Sequence, residues 1–277
     1  MNNNVHVVLD SISAVNETDF INDPRVHLAR LVLRLEQEEW YDGEKSLEDL
    51  VALMEKTGKI PTTSQPPLGD LIDLFTDLSK QGKKVVMVTI SSGLSGTYQT
   101  ACMAAQQVMQ ECKGADIRVI DGKTCGCSLV GMAKAILAKA DAGCEDMDEL
   151  ECYGRSLVDR TATYFSVNTL EYLRKGGRIG KASALIGSIL GIRPILHLDR
   201  DGKVEVADKC RSRKKVLKRI VEIAQDEGEL ESFYVSNAVA EEDASCVAME
   251  LQEKNPGIPS LKTSIGTVLS SHLGPGV

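Results

Sequence analysis

The sequence predicts an α/β protein: a largely parallel sheet in an N-terminal domain, followed by a second α/β domain. Three observations lead there. Short apolar, β-branched runs alternate with segments of helical period, the pattern of parallel strands joined by right-handed crossovers. The stretch "VVMVTISSGLSGTYQTACMAAQQV", Val85 to Val108, links such a strand to such a helix through a turn of serines and glycines. Finally, 277 residues, 43% hydrophobic and 26% charged, suffice for one large domain or two compact ones, and two is the better fit.

Taken in order, "VHVVLD" reads as a buried strand delivering Asp10 and Ser11 to the carboxyl edge of a sheet. "LARLVLRLEQEEWYDGEKS" reads as one further strand with a turn near Asp42 and Gly43. Ser46 is the N-cap of a helix over "SLEDLVALMEKTG", with Asp49 at the capping-box position and Gly58 as the stop. "KIPTTSQPPLGDLIDLFTDLSKQG" gives a Pro-bounded polar loop, then a helix whose Leu71, Leu74, Phe75 and Leu78 form one face that must pack on a sheet. The strand "KVVMVTI", the serine turn, a helix from about Thr97, the strand "DIRVID" and the helix "CSLVGMAKAILAKADAG" continue the alternation. An acidic helix in "CEDMDELECYGRSLVDRT" precedes the strand "ATYFSV", and the domain boundary falls near Thr161, dividing the chain into 1–160 and 161–277.

In the second unit, Leu185, Ile186, Ile189 and Leu190, spaced by small Ser183, Ala184, Gly187 and Ser188, predict a helix with an apolar face. "PILHLDRDGKVEV" predicts a hairpin turning at Asp201–Gly202. A helix near 213–226, the strand "SFYVSN", another helix and "TSIGTVLSSHLGPGV" complete the unit.

A net charge of -8 argues against nucleic-acid binding through phosphate contacts, and the basic run "RSRKKVLKR" at 211–219 reads as a solvated helix face. No apolar stretch approaches the ~20 residues of a membrane span, and "MNNNVHVVLD" lacks the pattern of a signal peptide, so a soluble cytoplasmic protein with no integral membrane segment is expected. The eight cysteines are loosely spaced, as in a reduced protein. Cys125 and Cys127 form a C-x-C pair without the further ligands of a zinc site, so no metal is expected.

Four polar stretches could carry chemistry. In "SSGLSG", Ser92 and Ser95 with the Gly93 backbone stand before a helix start, where unpaired N–H groups and the helix dipole suit an anion. The same serines could simply cap the helix. "PTTSQP" adds the hydroxyls of Thr62, Thr63 and Ser64 on a stiffened loop, and "SSHLGPGV" places His272 on a constrained loop. The fourth stretch, "LRKGGRIGKASALIGSILG", gathers Arg174, Lys175, Arg178 and Lys181 but fails the phosphate-loop spacing. Three functions stay open on these residues: a carrier of an anionic ligand, a serine hydrolase using Ser92 or Ser95 with His272, or a phosphate or sugar-phosphate binder at 174–181. For the hydrolase, "GLSG" is one residue short of a nucleophile elbow.

On these stretches together the chain resembles the DegV family of bacterial fatty-acid-binding proteins. The resemblance is carried by "TTSQP", "SSGLSGTYQ", "NTLEYLRKGGRIG" at 168–180, "GSILGIRPIL" at 187–196, "DGKV" with "RSRKK", and "HLGPG" at 272–276, in the family's order. It implies a two-domain DegV-like fold with a long-chain fatty acid between the domains. The carboxylate would be held by Thr62 or Thr63, Ser92, the Gly93 backbone and His272, with Ser95 beside them. It implies a carrier with neither catalytic residues nor a cofactor. Such a carrier presents the fatty acid to a separate fatty-acid kinase, which makes an acyl phosphate for phospholipid synthesis; Arg174 and Arg178 would face that partner. Two departures stand out. The family's TDST-like strand end is "LDSISAVNET" here, and the sequence ends at Val277 where members continue through an apolar strand, so a sheet edge or part of the pocket is expected to be uncovered. Burying an acyl chain contributes about 0.8 kcal/mol per methylene, on the order of 10 kcal/mol for a sixteen-carbon tail before ordering costs. A hydrogen bond to an ionised head group adds about 1.5–3 kcal/mol. The tail should set affinity and the hydroxyls and histidine should set register.

Overall fold

The computed structural model describes residues 4–186 and 191–277. In chain order the first half contains β1 (Val5–Asp10), β2 (Val26–Ala29), β3 (Val32–Leu35), β4 (Glu38–Tyr41), α1 (Leu47–Thr57), β5 (Thr62–Ser64), α2 (Leu68–Lys80), β6 (Lys84–Thr89), α3 (Thr97–Glu111), β7 (Asp116–Asp121), α4 (Ser128–Asp141) and α5 (Met147–Val158). The second contains β8 (Tyr164–Phe165), α6 (Glu171–Lys175), β9 (Arg193–Leu198), β10 (Val204–Cys210), α7 (Arg213–Asp226), β11 (Phe233–Asn237), α8 (Glu241–Lys254), β12 (Ser260–Ser264) and α9 (Thr267–Leu273). The α/β class and the largely parallel main sheet are as the sequence predicts.

That sheet runs β2-β1-β6-β7, every pair parallel. Its strands are near-continuous apolar runs because both faces are covered. Val7, Leu9, Val86 and Val88 point to Leu129, Ile136 and Leu150 of α4 and α5. Their neighbours Val8, Val85 and Met87 point the other way, to Leu71 and Phe75 of α2 and Ala101 of α3. The helical face read from Leu71, Phe75 and Leu78 is buried there as expected.

The single strand expected over 28–41 is three strands. The chain leaves the parallel sheet at Arg30 and Leu31, where the Leu31 N–H bonds the Ser11 hydroxyl at 3.1 Å, and reverses again at Glu36, which adopts φ 56°. The loop expected at 62–64 is itself a strand: β5 joins β3 opposite β4 in a small antiparallel sheet, β4-β3-β5. The turn at Asp42–Gly43 and the Ser46/Asp49 capping box are where the sequence places them.

In the second half, β10-β9-β8 form an antiparallel sheet, with the hairpin turning through Gly202 at φ +71°. β11 and β12 pair in parallel, and Val221 of α7 and Val247 and Leu251 of α8 pack with Phe233. Two expectations are corrected. Residues 180–185 form a 3-10 turn, not an apolar α-helix, and Ile186 is extended and exposed. Gly180 holds φ +52° against the Val204 backbone, which fixes the chain in a non-helical path; 187–190 lie outside the described residues. His272 sits not on a loop but in the last turn of α9, which stops at Gly274 with φ +78°. Beyond it, the Ala238 N–H bonds the Val277 carbonyl at 3.1 Å and the Gly276 N–H bonds the Ala238 carbonyl at 2.6 Å.

Candidate functional site

A cavity of about 700 Å³ lies at the carboxyl edge of the parallel sheet. Ile12 and Ile90, which follow β1 and β6, line it from the first half, and Leu198, Phe233 and Val268 line it from the second. Ligands of open α/β sheets bind at this edge, in pockets of about 300–1,000 Å³. Met132 and Ala135 of α4, Leu217 and Ile220 of α7 and Val247 of α8 make much of the wall aliphatic.

Polar side chains gather at one place in this wall. Thr63 Oγ1 lies 2.8 Å from His272 Nε2, joining residues 209 apart in sequence. Successive side chains of a strand point to opposite faces, so Thr63 enters the cavity while Thr62 faces out, its hydroxyl 3.3 Å from the Arg34 carbonyl. Burial, helped by the nearby charge of Arg178, lowers the His272 pKa to about 4, so the ring is neutral at pH 7. Its Nδ1 is buried and lacks a hydrogen-bond partner among the described residues. Gly176 makes the ring's position possible: a Cβ there would stand 2.4 Å from Nδ1. Arg178 also lines the cavity, donating Nε to the Leu94 carbonyl at 3.2 Å and Nη1 to the Gly176 carbonyl at 2.6 Å. Among the described residues no carboxylate pairs with it.

Helix α9 is held at both ends by the β4-β3-β5 sheet. At its start, Asp42, just past β4, accepts from the Thr267 hydroxyl at 2.5 Å and the Val268 N–H at 3.4 Å. At its end, Thr63 of β5 meets His272. Behind the cavity, buried Asp10 accepts from the N–H groups of Ile90 at 2.6 Å and Ile12 at 3.2 Å, tying together the segments that follow β6 and β1. Burial pushes its carboxyl up to about 7, and the neighbouring Asp42 charge adds to the rise.

The serine turn divides its work. Ser95 lines the cavity and also serves the start of α3, accepting from the Thr97 N–H at 3.3 Å and sharing a hydrogen with the Thr97 hydroxyl at 2.9 Å. Ser92 is turned to β7: its N–H donates to Asp121 at 3.0 Å and its hydroxyl accepts from Lys123 Nζ at 3.1 Å. Gly93 packs against the β9–β10 turn, where a Cβ would be 2.7 Å from the Asp201 carbonyl oxygen. The structure thus brings Thr63, Ser95 and His272 to the cavity together with Arg178, while Thr62, Ser92 and Gly93 lie outside its lining.

The hydroxyl against the imidazole belongs to Thr63, and the partners of Ser92 and Ser95 are Lys123 and Thr97. The basic loop is largely neutralised. Arg174 and Lys175 pair with Glu171 at 2.8 and 3.4 Å, and Lys181 with Asp199 and Glu205 at 3.0 and 3.3 Å. Sequence reasoning missed Gly176 and the anchoring role of Asp42. The "KGG" tripeptide marks a turn, but only one of its glycines has a positive φ: Gly177 at +71° needs glycine for its backbone, while Gly176 at φ -73° needs it for the space His272 fills.

A partly open cavity, apolar over much of its wall, with Thr63 against a neutral histidine and with Ser95 and Arg178 also in its lining, is suited to an amphipathic small molecule. Comparison with known proteins supplies the family. The DegV family of uncharacterised proteins matches residues 4–277, and the chain belongs to it. Protein DegV of Bacillus subtilis is 32% identical over 284 residues, covering 99% of this chain and 96% of its own. A solved DegV family protein from Thermus thermophilus, described by its fatty-acid binding, superposes with a TM-score of 0.86 at 27% identity, covering 98% of this chain and 96% of its own. The Bacillus subtilis DegV structure, described as a fatty acid binding protein, gives 0.85 at 28% identity, with coverage of 98% and 96%. Among the described residues no helix is long and apolar enough to cross a membrane.

Proposed function

We propose that the chain is a non-catalytic carrier of a long-chain fatty acid, held between a unit of residues 1–160 and a unit of 161–277. The carboxylate lies at Thr63, Ser95 and His272, and Arg178, which has no carboxylate partner of its own, supplies the compensating charge. Thr62, Ser92 and the Gly93 backbone shape the turn and strand that carry these groups. The aliphatic wall takes the tail. In the same reading the head group is offered to a separate fatty-acid kinase for acyl-phosphate formation in phospholipid synthesis, in the cytoplasm, with exposed Arg174 on the side facing that partner.

The observation that carries this reading is the Thr63–His272 pair in the wall of a 700 Å³, mostly aliphatic cavity. Relatives of the same fold are described as binding fatty acids, which supports it. Protein purified from cells should release fatty acids on solvent extraction and mass spectrometry. No released lipid, together with no binding of added palmitate or oleate, would overturn the reading.

A further inference from the structure

We infer that the cavity contains a second polar subsite, separate from the Thr63–His272 pair, that favours acyl chains carrying a hydroxyl along their length. The inference rests on the fatty-acid reading and narrows it to a substrate class. Its basis is a row of three hydroxyls. Thr163 Oγ1 lies 2.6 Å from Thr124 Oγ1 and 2.8 Å from Ser128 Oγ. Two separate pieces of chain contribute: the β7–α4 loop running into the first residue of α4, and the residue before β8. Thr163 and Ser128 line the cavity, and Thr124 is buried.

Each hydroxyl has one hydrogen to donate and can accept two. Two bonds within the row use two of its three hydrogens, so one hydrogen and several lone pairs are left in a row of which Thr163 and Ser128 border the cavity. Helix capping does not account for the row, since α4 has Cys127 as its N-cap, with no side-chain cap bond. Ser128, Gly131, Met132 and Ala135 all line the cavity and form one stripe of α4, spaced i, i+3, i+4 and i+7. The stripe is polar at its start and apolar beyond. Gly131 leaves room for the Tyr234 ring, whose hydroxyl would lie 3.2 Å from a Cβ at that position, adding a further polar atom to this wall.

The row and the head-group pair stand on different elements of the one lining: Thr63 of β5 and His272 of α9 form the pair, whereas the start of α4 and the residue before β8 carry the row. A ligand whose carboxylate lies at the Thr63–His272 pair would meet the row with a part of its chain. A plain methylene chain against the row leaves its one unused hydrogen and its spare lone pairs unmatched, whereas a chain hydroxyl offers both a donor and an acceptor.

The test uses the full chain stripped of lipid and titrated with stearic acid and a positional series of hydroxystearic acids. One or two adjacent positions should bind roughly two- to tenfold more tightly than stearic acid, the worth of one added hydrogen bond. Thr163→Val should erase that preference without weakening stearic acid binding. Ser128→Ala, which leaves the β8 segment untouched, should reduce it and keeps the test open if the valine variant does not fold. Equal affinity for every hydroxystearic acid and stearic acid overturns the subsite and leaves the fatty-acid reading standing. A preference that survives both substitutions overturns the assignment to this row. Binding of none of these acids removes the fatty-acid reading and the subsite with it.

Discussion

Gly176→Ala separates steric support of the site from ordinary helix energetics. The residue has φ -73° and ψ -11°, a helical backbone that alanine adopts freely. Intrinsic propensity alone would favour alanine by about 1 kcal/mol. The new Cβ, however, would be 2.4 Å from His272 Nδ1 and 3.1 Å from its Cε1. Ordinary contact needs about 1 Å more, and the ring cannot retreat toward Thr63, which already lies 2.8 Å from Nε2. It must swing aside and lose that bond. Overpacking of this kind costs about 1–3 kcal/mol, which cancels or exceeds the propensity gain. With the carboxylate at His272 as proposed, a misplaced ring would forfeit a hydrogen bond to an ionised group, about 1.5–3 kcal/mol, or roughly ten- to hundredfold in fatty-acid Kd. Displacement of a fluorescent fatty acid measures the affinity and urea unfolding the stability. Gly177→Ala is the control: its φ of +71° makes alanine strained, but no atom lies within 4 Å of the added Cβ, so stability should fall without an affinity change. A Gly176→Ala protein that is more stable than the parent and binds with unchanged Kd would refute the reasoning.

Asp42→Ala should cost about 1–3 kcal/mol in urea unfolding by stranding the Thr267 hydroxyl and the Val268 N–H, and should weaken fatty-acid binding through the displaced His272; full stability would show that α9 has other support. Because the His272 pKa falls from 6.5 to about 4 on folding, the unfolded chain binds more protons between those values. Stability from this group is therefore complete above about pH 6.5 and declines toward pH 4. Buried His6 is lowered to about 4 as well, so the readout is the difference in slope: His272→Ala should unfold with a shallower pH dependence than the parent over that window. Ser95→Ala should raise the fatty-acid Kd several-fold, whereas Ser92→Ala, whose hydroxyl is engaged by Lys123, should leave it nearly unchanged; the reverse order would relocate the head group. Arg174→Glu should slow coupling to a fatty-acid kinase with little effect on lipid affinity, and an unchanged coupling rate would remove Arg174 from that interface.

The parallel sheet and its helices were legible because burial on both faces writes itself into the sequence as continuous apolar strands, and burial on one face as a helical stripe such as Leu71, Phe75 and Leu78. The stretch 28–46 was harder. Its breaks at Leu31 and Glu36 depend on a hydroxyl twenty residues earlier and on a left-handed glutamate, neither of which leaves a local signature. Likewise Thr62–Ser64 has no strand pattern of its own, and becomes a strand because β3 offers an open edge. At the site, hydroxyl clusters and a lone histidine could be picked out by residue type. Which of Thr62 and Thr63, or of Ser92 and Ser95, faces the cavity is decided by strand alternation and by Asp121 and Lys123, and so is tertiary information.

The grip of the β4-β3-β5 sheet on both ends of α9 makes ligand retention a report on the completeness of folding. Asp42 and Thr267 are 225 positions apart, and Thr63 and His272 are 209 apart, so both contacts close only when the last helix docks on the first quarter of the chain. A nascent or partly opened chain has no such pocket. A ligand that binds only the closed form therefore stabilises the whole molecule, by about 2.7 kcal/mol at a free concentration a hundred times its Kd. On the proposed fatty-acid reading, α9 would act as the clasp, since its contacts with Asp42 and Thr63 join distant parts of the chain at the cavity.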